Sequence, residues 1–429
     1  MKQTMGWTRQ LGPEMEMMRR AREVLATSTT CLDYVQERAV GHRVFTMSGQ
    51  ILYDFCSGVG QKNTGHNHPA INAAKRWCID RMSANLVSHD WLSGLAVLLA
   101  ERLVATTPGS FPKKVFFARG GAEANEHALK LIKAKSGLRH LGKKMFAFEN
   151  SFHGRSEGAL RNTDSKQVQW HEFVDEGERP FFLPFPEAGH SCEQYLHKLR
   201  SKLGCRSDDN IFCKVRGLNP AGIILECVQG EGGINAGCKS CLPYIVRAFE
   251  NAGALVVADE VQTGFWRTGK MFASEHYGIF PDIISLGKSL CPESALAASV
   301  FRADLDLKPG QNSNTGVNPD ALAVALAADE VYSCLDMGKL AECIALLTRV
   351  APVGLGLMRR IECEDKEQRD KIVEDAAIMS PGLILLGAGS DRLGQRFIRL
   401  MPPVNIEPSD LSVMISMLKN VCAGRGLIL

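Results

Sequence analysis

Short, continuous apolar segments recur through the middle of this 429-residue chain, and helical patterns lie between them. A strand buried on both faces is apolar at every position, whereas a strand with one wet face alternates apolar and polar residues. The segments predict buried strands, and the patterns between them predict helices. The strands are expected at 115–118, 145–148, 222–226, 254–258, 282–286 and 296–301, and the helices at 122–135 and 240–252. This alternation predicts an α/β fold, a mostly parallel sheet covered by helices on both faces.

Composition excludes several classes of protein. A net charge of +3 with 23% charged residues provides no basic field, so a nucleic-acid partner is not implied. No apolar run approaches the length that spans a bilayer, and the first 20 residues lack the apolar core of a signal peptide. We therefore expect a cytoplasmic protein without a membrane partner, long enough to form two domains.

The 14 cysteines raise the question of metal or disulfide chemistry. Cys238 and Cys241 form a CxxC pair, but the sequence offers no second pair at the spacing of a zinc site. Tetrahedral zinc would need two more ligands. We therefore predict two reduced thiols on a loop rather than a zinc knuckle or a redox pair, and no metal site.

A candidate functional residue follows each of two neighbouring predicted strands. Asp259 comes directly after the segment 254–258, and Lys288 comes two positions after 282–286. Open α/β sheets bind ligands at the carboxyl ends of their strands. Taken alone, most such Asp residues start turns and most Lys residues are solvated. As a pair they suit pyridoxal 5'-phosphate, which needs a carboxylate beside its ring nitrogen and an amine that carries it as a Schiff base.

The sequence around this pair reads DEVQTGFWRTGK from Asp259 to Lys270 and PDIISLGK from Pro281 to Lys288. It resembles the signature of the class III (ω-amino acid:2-oxo acid) aminotransferases, which are fold-type-I pyridoxal phosphate enzymes. Further blocks follow in the order of the family, so the resemblance covers nearly the whole chain. They are SGVGQKNTGHNHP (57–69), FFARGGAEANEHALK (116–130), FENSFHGRSEGAL (148–160), ILECVQGEGG (224–233) and FIRLMPP (397–403).

The resemblance implies an architecture and a reaction. We expect a large cofactor-binding domain at 56–317 and a smaller α+β domain built from both termini, at 1–55 and 318–429. The enzyme would be a homodimer with active sites at the subunit interface. It would move an amino group from an ω-amino acid or diamine, such as 4-aminobutyrate, to a 2-oxo acid such as 2-oxoglutarate, through a pyridoxamine phosphate intermediate.

The resemblance also implies roles for residues at the cofactor. Lys288 would carry pyridoxal phosphate, and Asp259 would keep its ring nitrogen protonated. Gly121 and Ala122, at the start of a predicted helix, would bind the phosphate through backbone amides. The remaining expected contacts are the stacking Phe152 with its neighbour His153, the packing Val261, Gln262 at the 3-oxygen, and Asn314 and Thr315, one of which stands for a threonine that closes the phosphate site from the neighbouring subunit.

Three residues are expected at the substrate. Arg399 matches the arginine that grips a substrate carboxylate, a task that suits its planar fork. Glu231 matches the glutamate that neutralises this arginine in members acting on ω-amines, and the bland alternative is a static salt bridge that supports the fold. Val59 occupies a position that lines the pocket for the distal end of the donor.

Several positions depart from the family pattern and keep other functions open. Glycines usual after the lysine are replaced by Cys291, Pro292 and Glu293, and Trp266 replaces another glycine. Two alternatives remain beside the transaminase. One is a racemase or epimerase on the same scaffold, because the same carbanion can be reprotonated on either face. The other, which the altered positions favour, is a cofactor-binding protein without turnover.

Overall fold

The computed structural model describes residues 13–26, 34–81, 92–136, 142–206, 210–312 and 317–429. Its strands, in chain order, are β1 (Gln36–Val40), β2 (Arg43–Thr46), β3 (Ile51–Asp54), β4 (Lys113–Ala118), β5 (Lys144–Phe148), β6 (Phe181–Leu183), β7 (Pro220–Leu225), β8 (Val228–Gln229), β9 (Asn235–Ala236), β10 (Leu255–Asp259), β11 (Ile283–Leu286), β12 (Ala297–Arg302), β13 (Val353–Leu355), β14 (Met358–Glu362), β15 (Gly382–Ile384), β16 (Leu386–Ala388) and β17 (Phe397–Leu400).

The helices of the same residues are α1 (Glu14–Val24), α2 (Ser57–Gly60), α3 (Pro69–Arg81), α4 (Gly94–Thr106), α5 (Gly121–Lys135), α6 (Glu157–Arg161), α7 (Gln167–Trp170), α8 (Cys192–Leu203), α9 (Ile211–Gly217), α10 (Cys241–Asn251), α11 (Pro319–Ser333), α12 (Met337–Val350), α13 (Lys366–Ile378) and α14 (Pro408–Gly424). No helix of the described residues is both long enough and apolar enough to cross a membrane.

A seven-stranded sheet in the order β4-β12-β11-β10-β7-β5-β6 forms the centre of the fold. Neighbours pair in parallel from β11 through β10, β7 and β5 to β6, whereas β12 runs antiparallel to both β11 and β4. All residues of β7 and β11 are buried, which explains why these strands are apolar apart from Ser285. The expected α/β fold with a mostly parallel sheet is confirmed, and so are the six strands and two helices, to within a few residues at their ends.

Helices cover the two faces of this sheet with separate cores. On one face α5 contributes Ala124, Ala128 and Leu131 to a buried cluster with residues of β7, β10 and β11. On the other face α8, α9 and α10 pack against β5, β7 and β10, with Leu199 and Phe249 fully buried. The sheet is therefore held between two helical layers, and its strand ends remain available for a site.

Two smaller sheets lie outside the central one. β1, β2 and β3 pair in sequence, and β15 from the C-terminal part of the chain adds to β3 in parallel. A second sheet has the order β13-β14-β17-β16. The pairing of β3 with β15 joins the two ends of the chain, whereas the domain boundaries at 55/56 and 317/318 stay a prediction.

Residues 163–220, for which the sequence predicts neither a strand nor a helix, contain α7, β6, α8 and α9. β6 lies at the edge of the central sheet and pairs in parallel with β5. α1 is the first helix of the described residues. The fold thus adds a strand and three helices to a region that the sequence left open.

Candidate active site

A cavity of about 270 Å³ opens at the carboxyl ends of β7, β10 and β11. Asp259 ends β10 and pairs in register with Ser285 of β11, so Lys288, three residues further on, begins at the same edge of the sheet. The lining residues come from six segments of the chain. They are Gly121, Ala122 and Asn125 of α5, Phe152 to Arg155, Glu226, Glu231, Asp259 to Gln262 without Glu260, and Lys288.

The Asp259 carboxylate is buried and oriented by three donors. Its Oδ2 accepts from Asn125 Nδ2 at 2.7 Å and lies 2.8 Å from His153 Nδ1. Its Oδ1 accepts from the backbone N–H of Val261 at 3.1 Å. Asn125 also donates to the backbone oxygen of His153 at 2.8 Å. These contacts fix the direction in which the carboxylate meets the cavity.

Lys288 is partly buried and lines the cavity from the carboxyl end of the neighbouring strand, β11. Burial lowers the pKa of its amine, the Glu231 and Asp259 carboxylates raise it and the Arg399 guanidinium lowers it, and the net pKa is about 8. Its backbone has φ +43°, in the left-handed region that side chains seldom adopt. A neutral amine is therefore much more accessible at Lys288 than at an exposed lysine.

The N-terminus of α5 faces the same cavity through Gly121 and Ala122. No side chain caps this 15-residue helix, and its N-cap residue is Gly120. A Cβ at position 121 would lie 2.6 Å from Cγ1 of Val261, so only glycine fits there without a shift. Uncapped amides at a helix N-terminus form a site for an anion.

Glu226 connects two parts of the site. Its Oε1 accepts from the N–H of Phe152, and its Oε2 accepts from the N–H of Gly230, both at 2.9 Å. Burial raises the pKa of Glu226 to about 7; His153 lowers it and Asp259 raises it by smaller amounts. The carboxyl group thereby holds the expected stacking residue and the start of the loop that carries Glu231.

Glu231 and Arg399 form a bidentate ion pair in the wall of the cavity. Arg399 Nη1 lies 2.6 Å from Glu231 Oε1, and Nη2 lies 3.0 Å from Oε2. Burial on its own would raise the pKa of Glu231, but Arg399, with help from Lys288 and Lys166, lowers it to about 2. Glu231 lines the cavity, whereas Arg399 lies behind it and is only 4% exposed. In this arrangement the carboxylate covers the guanidinium.

The loop that carries Glu231 is tied down by its backbone. It joins β8 to β9, and its Gly233 oxygen accepts from Arg360 Nη1 at 2.8 Å. The N–H groups of Gly389 and Ser390 donate to the oxygens of Glu231 and Gly232 at 3.1 and 3.3 Å. A movement of Glu231 away from Arg399 therefore needs rotation of its side chain and no movement of the loop.

Most of the residues that the sequence predicted come together here, with three exceptions. Val59 is not among the described residues that line the cavity; its backbone oxygen accepts from Gln262 Nε2 at 3.5 Å. Asn314 and Thr315 lie outside the described residues. The sequence did not predict the contribution of Asn125 and Glu226, although Asn125 stands one helical turn after Gly121, on the same face of α5.

The positions that depart from the family pattern have local explanations. Glu293 accepts from Lys62 Nζ at 3.2 Å and from the N–H of Asn67 at 3.0 Å. Cys291 is buried, and its Sγ lies 3.4 Å from the oxygen of Ala321 in α11. Trp266 keeps a left-handed φ of +66° although it is not glycine. The altered turn after Lys288 is thus held by hydrogen bonds of Glu293 and by the buried side chain of Cys291.

Known proteins are similar to this chain in sequence and in fold. Residues 24–422 match the sequence model of the aminotransferase class-III family. An acetylornithine aminotransferase of Caldanaerobacter subterraneus is 31% identical over 401 residues, which are 89% of this chain and 92% of that protein. A putrescine aminotransferase of Pectobacterium atrosepticum is 37% identical over 309 residues, 70% of this chain and 62% of that protein. The crystal structure of ornithine aminotransferase from Toxoplasma gondii ME49 superposes with a TM-score of 0.80 at 23% identity, covering 99% of this chain and 100% of that chain.

Proposed function

Because the chain belongs to the class III aminotransferases, which use pyridoxal phosphate, we propose that it transfers the terminal amino group of an ω-amino acid or diamine to a 2-oxo acid. The bidentate pair of Glu231 and Arg399 carries this proposal. One wall of the cavity can present either a carboxylate or a guanidinium, so two differently charged substrates can use it in turn.

The residues present fit the cofactor. The uncapped N-terminus of α5 offers amides for a phosphate, and the space that a Cβ at Gly121 would need is already filled by Val261. In the same cavity, His153 Nε2 and Asn125 Oδ1 have no partner, although both groups are buried. Asp259 is suited to the ring nitrogen, Lys288 to the covalent link, and Phe152, Val261 and Gln262 to the ring.

When bound, pyridoxal phosphate draws electrons from the substrate carbon that bears the amine, which makes the proton on that carbon easier to remove. Asp259, held by Asn125 and His153, would keep the proton on the ring nitrogen. Lys288 would first carry the cofactor and then, as a free amine with a pKa near 8, move the proton at the substrate carbon. The Phe152 side chain would stack on the ring, and its backbone N–H, which donates to Glu226, fixes the position of the residue.

Arg399 would bind the carboxylate of the 2-oxo acid. Its planar fork already binds a carboxylate, that of Glu231, with two parallel hydrogen bonds. An acceptor such as 2-oxoglutarate could replace that carboxylate once the Glu231 side chain rotates. Because the loop backbone is fixed by Arg360 and by residues 389–390, this exchange would need little reorganisation.

The donor would be recognised while Glu231 covers Arg399. A neutral pair leaves room for an alkylamine without an α-carboxylate, and the two relatives described above are named for acetylornithine and putrescine, each with a terminal amine. Arg155 also lines the cavity, with its guanidinium carbon 5.8 Å from the ring centre of Phe152. It is a suitable partner for an acid group at the far end of the donor.

Membership of an aminotransferase family argues against the two alternatives that the sequence left open, a racemase and a cofactor-binding protein without turnover. The altered loops are packed and hydrogen-bonded, which also supports turnover. The reaction class follows from the family, and the donor and acceptor are the proposal.

We further propose that two copies of the chain associate, as the resemblance implies. Exposed apolar side chains on α3 and α4, two helices that pack on α11, would be covered by the second copy. They include Trp77, Ile79, Val97 and Leu98. The resemblance to the family implies that Asn314 or Thr315 of one subunit closes the phosphate site of the other; both residues lie outside the described part of the chain.

Single-turnover kinetics of the two half-reactions tests the substrate assignment. Arg399→Ala removes a charge-assisted bidentate contact worth about 1.5–3 kcal/mol. The acceptor half-reaction should therefore slow roughly ten- to a hundredfold in kcat/KM, and the donor half-reaction should change far less. Glu231→Ala should do the converse by leaving Arg399 uncovered, and it should favour α-amino acids as donors.

Two control variants separate binding from folding. Arg399→Lys keeps the charge but loses the fork, so its acceptor half-reaction should be intermediate. Arg396→Ala removes a half-exposed arginine at the start of the same strand, whose partner is Glu362, and should leave both halves unchanged. Equal losses in both half-reactions of Arg399→Ala would show that the pair only supports the fold.

A further inference from the structure

Three cysteine thiols converge on the surface, outside the cavity described above. The Sγ atoms of Cys192, Cys238 and Cys241 all lie within 4.8 Å of one another. Cys192 Sγ is 3.9 Å from Cys238 Sγ and 2.7 Å from Cys241 Sγ. In the described part of the chain, this is the one group of three or more potential ligands that could hold a metal ion.

Two segments that run side by side bring the thiols together. Glu187 forms an antiparallel bridge with Gly237, and the N–H of Cys238 donates to the oxygen of Pro186 at 2.6 Å. The N–H of Ala188 donates to the oxygen of Ala236 at 2.9 Å. These contacts hold the segment before Cys192 beside the segment that contains the CxxC pair. The third thiol is therefore placed by the fold and not by its position in the sequence.

Helix N-termini and hydrogen-bond donors surround the three sulfur atoms. Cys192 is the first residue of α8 and Cys241 is the first residue of α10, and a helix N-terminus stabilises negative charge. The N–H of Cys241 donates to Cys238 Sγ at 3.5 Å, and Ser240 Oγ lies 2.9 Å from Cys192 Sγ and 3.3 Å from Cys238 Sγ. Zn–S bonds of about 2.3 Å in a tetrahedron put the sulfurs about 3.8 Å apart. The distance between Cys192 Sγ and Cys238 Sγ matches this value, whereas Cys241 Sγ would move about 1 Å away from Cys192 Sγ to make room for the ion.

We propose that Cys192, Cys238 and Cys241 bind one zinc ion through their thiolates, with His190 as the fourth ligand. The side chain of His190 is 40% exposed and precedes Cys192 by two residues, so the sites read HxC and CxxC. A disulfide would use only two of the three sulfurs, whereas a metal ion can bind all three. The CxxC pair lacked further ligands in sequence, and Cys192 with His190 supplies them.

The position of the site indicates what the metal does. Cys238 follows β9 by two residues, and β9 is the second strand of the hairpin that carries Glu231. Cys241 and Cys238 also pack against the core formed by α8, α9, α10 and the central sheet. A metal ion here would join the starts of α8 and α10 to the base of the hairpin. Its role is structural, because its ligands lie outside the cavity.

Metal analysis of the untagged holoenzyme, purified with a reducing agent and without chelator, tests the site. We expect about one zinc ion per chain in the wild type, and well under half of that in Cys238→Ser and in Cys241→Ser. Cys213→Ser is the matched control, since Cys213 is an exposed thiol on α9 outside the group, and it should keep its zinc. Cofactor absorbance and circular dichroism report whether each variant is folded.

Cobalt(II) provides a second readout that does not depend on activity or on the metal acquired in the cell. Apoprotein reconstituted with cobalt should show the intense thiolate-to-metal absorption of tetrahedral sulfur sites, lost in the Cys238→Ser variant and kept in Cys213→Ser. His190→Ala should keep the band and bind the metal more weakly; unchanged affinity would remove His190 from the ligand set. Wild-type protein that binds neither metal under reducing conditions overturns the proposal, and so does a Cys192–Cys241 disulfide found in cells lysed with a thiol-blocking reagent.

Discussion

Lys288 combines a strained backbone with a buried amine. A non-glycine residue at a φ of +43° costs of order 1–3 kcal/mol, so the surrounding structure must hold it there. The next residue supplies two anchors, because Ser289 Oγ donates to the oxygen of Gly60 at 2.9 Å and the Ser289 oxygen accepts from Tyr332 at 2.7 Å. The strain aims the amine at the cavity, which is consistent with its proposed role.

The pH dependence of cofactor attachment should follow the titration of Lys288. Only the neutral amine attacks the cofactor aldehyde, and burial lowers the pKa of this amine to about 8. The rate at which cofactor-free protein acquires the lysine-linked absorbance should therefore rise with pH and level off above about 8. Lys288→Ala should show no such absorbance. A midpoint near about 10.4, the value of a free lysine, would contradict the expectation.

Neighbouring charges should move this midpoint in opposite directions. The Glu231 carboxylate raises the pKa of Lys288, so Glu231→Gln should shift the profile to lower pH. The Arg399 guanidinium lowers that pKa, so Arg399→Met should shift the profile to higher pH. Stopped-flow absorbance measures both. Parallel shifts in the two variants would show that the pair acts on Lys288 only through the fold.

At the scale of elements, α5 connects the core to the site. Its buried face packs on the central sheet, while Asn125 orients Asp259 and Gly121 meets Val261 at the first turn. The phosphate is expected where no side chain caps this helix. One element therefore positions the groups expected at both ends of the cofactor.

Two adjacent glycines of α5 allow a matched test of the phosphate site. Gly121→Ala would place a Cβ 2.6 Å from Val261 Cγ1, and overpacking of this kind costs about 1–3 kcal/mol. The helix start or Val261 must shift, so cofactor affinity should fall roughly tenfold or more. Gly120→Ala has nothing within 4 Å of its new Cβ and an extended backbone.

Titration of the cofactor-free variants by cofactor fluorescence or absorbance measures the two affinities. Gly120→Ala should stay within a few-fold of the wild type. Equal affinities for Gly121→Ala and the wild type would remove the start of α5 from the phosphate site.

The strands of the sheet were predictable because burial on both faces leaves continuous apolar runs, as in β7 and β11. β6 was not, since three residues between Pro180 and Pro184 carry no periodicity. The antiparallel direction of β12 also leaves no local signal, because it depends on which strands it joins.

Asp259 and Lys288 were visible at strand ends, whereas the pairing of Glu231 with Arg399, 168 positions apart, was expected only through the resemblance. The approach of Cys192 to the CxxC pair was not predictable at all.

At the scale of the whole molecule, the proposed dimer rests on the apolar surface of α3 and α4. Val97 is 46% exposed on α4, and Val413 is 50% exposed on α14, at the other end of the chain. Both residues are valines of similar exposure, and they lie on different surfaces. The same substitution at each position therefore tests which surface the second copy of the chain covers.

Val97→Asp should dissociate the dimer, because a buried unpaired charge in an interface is strongly unfavourable. Activity should fall with it, since the phosphate site would lose its contribution from the second subunit. Val413→Asp should remain dimeric and active. Sedimentation velocity and activity at a series of protein concentrations measure both variants. A dimeric Val97→Asp would place the interface elsewhere.

In the loop that joins β8 to β9, the backbone and the side chain of Glu231 have separate roles. Its backbone is held from outside by Arg360 and by residues 389–390, whereas only the side chain at position 231 reaches Arg399. If Glu231 selects the substrate as proposed, a substitution at that one position would change which molecules the pocket admits and leave the backbone contacts of the loop in place. Substrate preference would then evolve without a new loop.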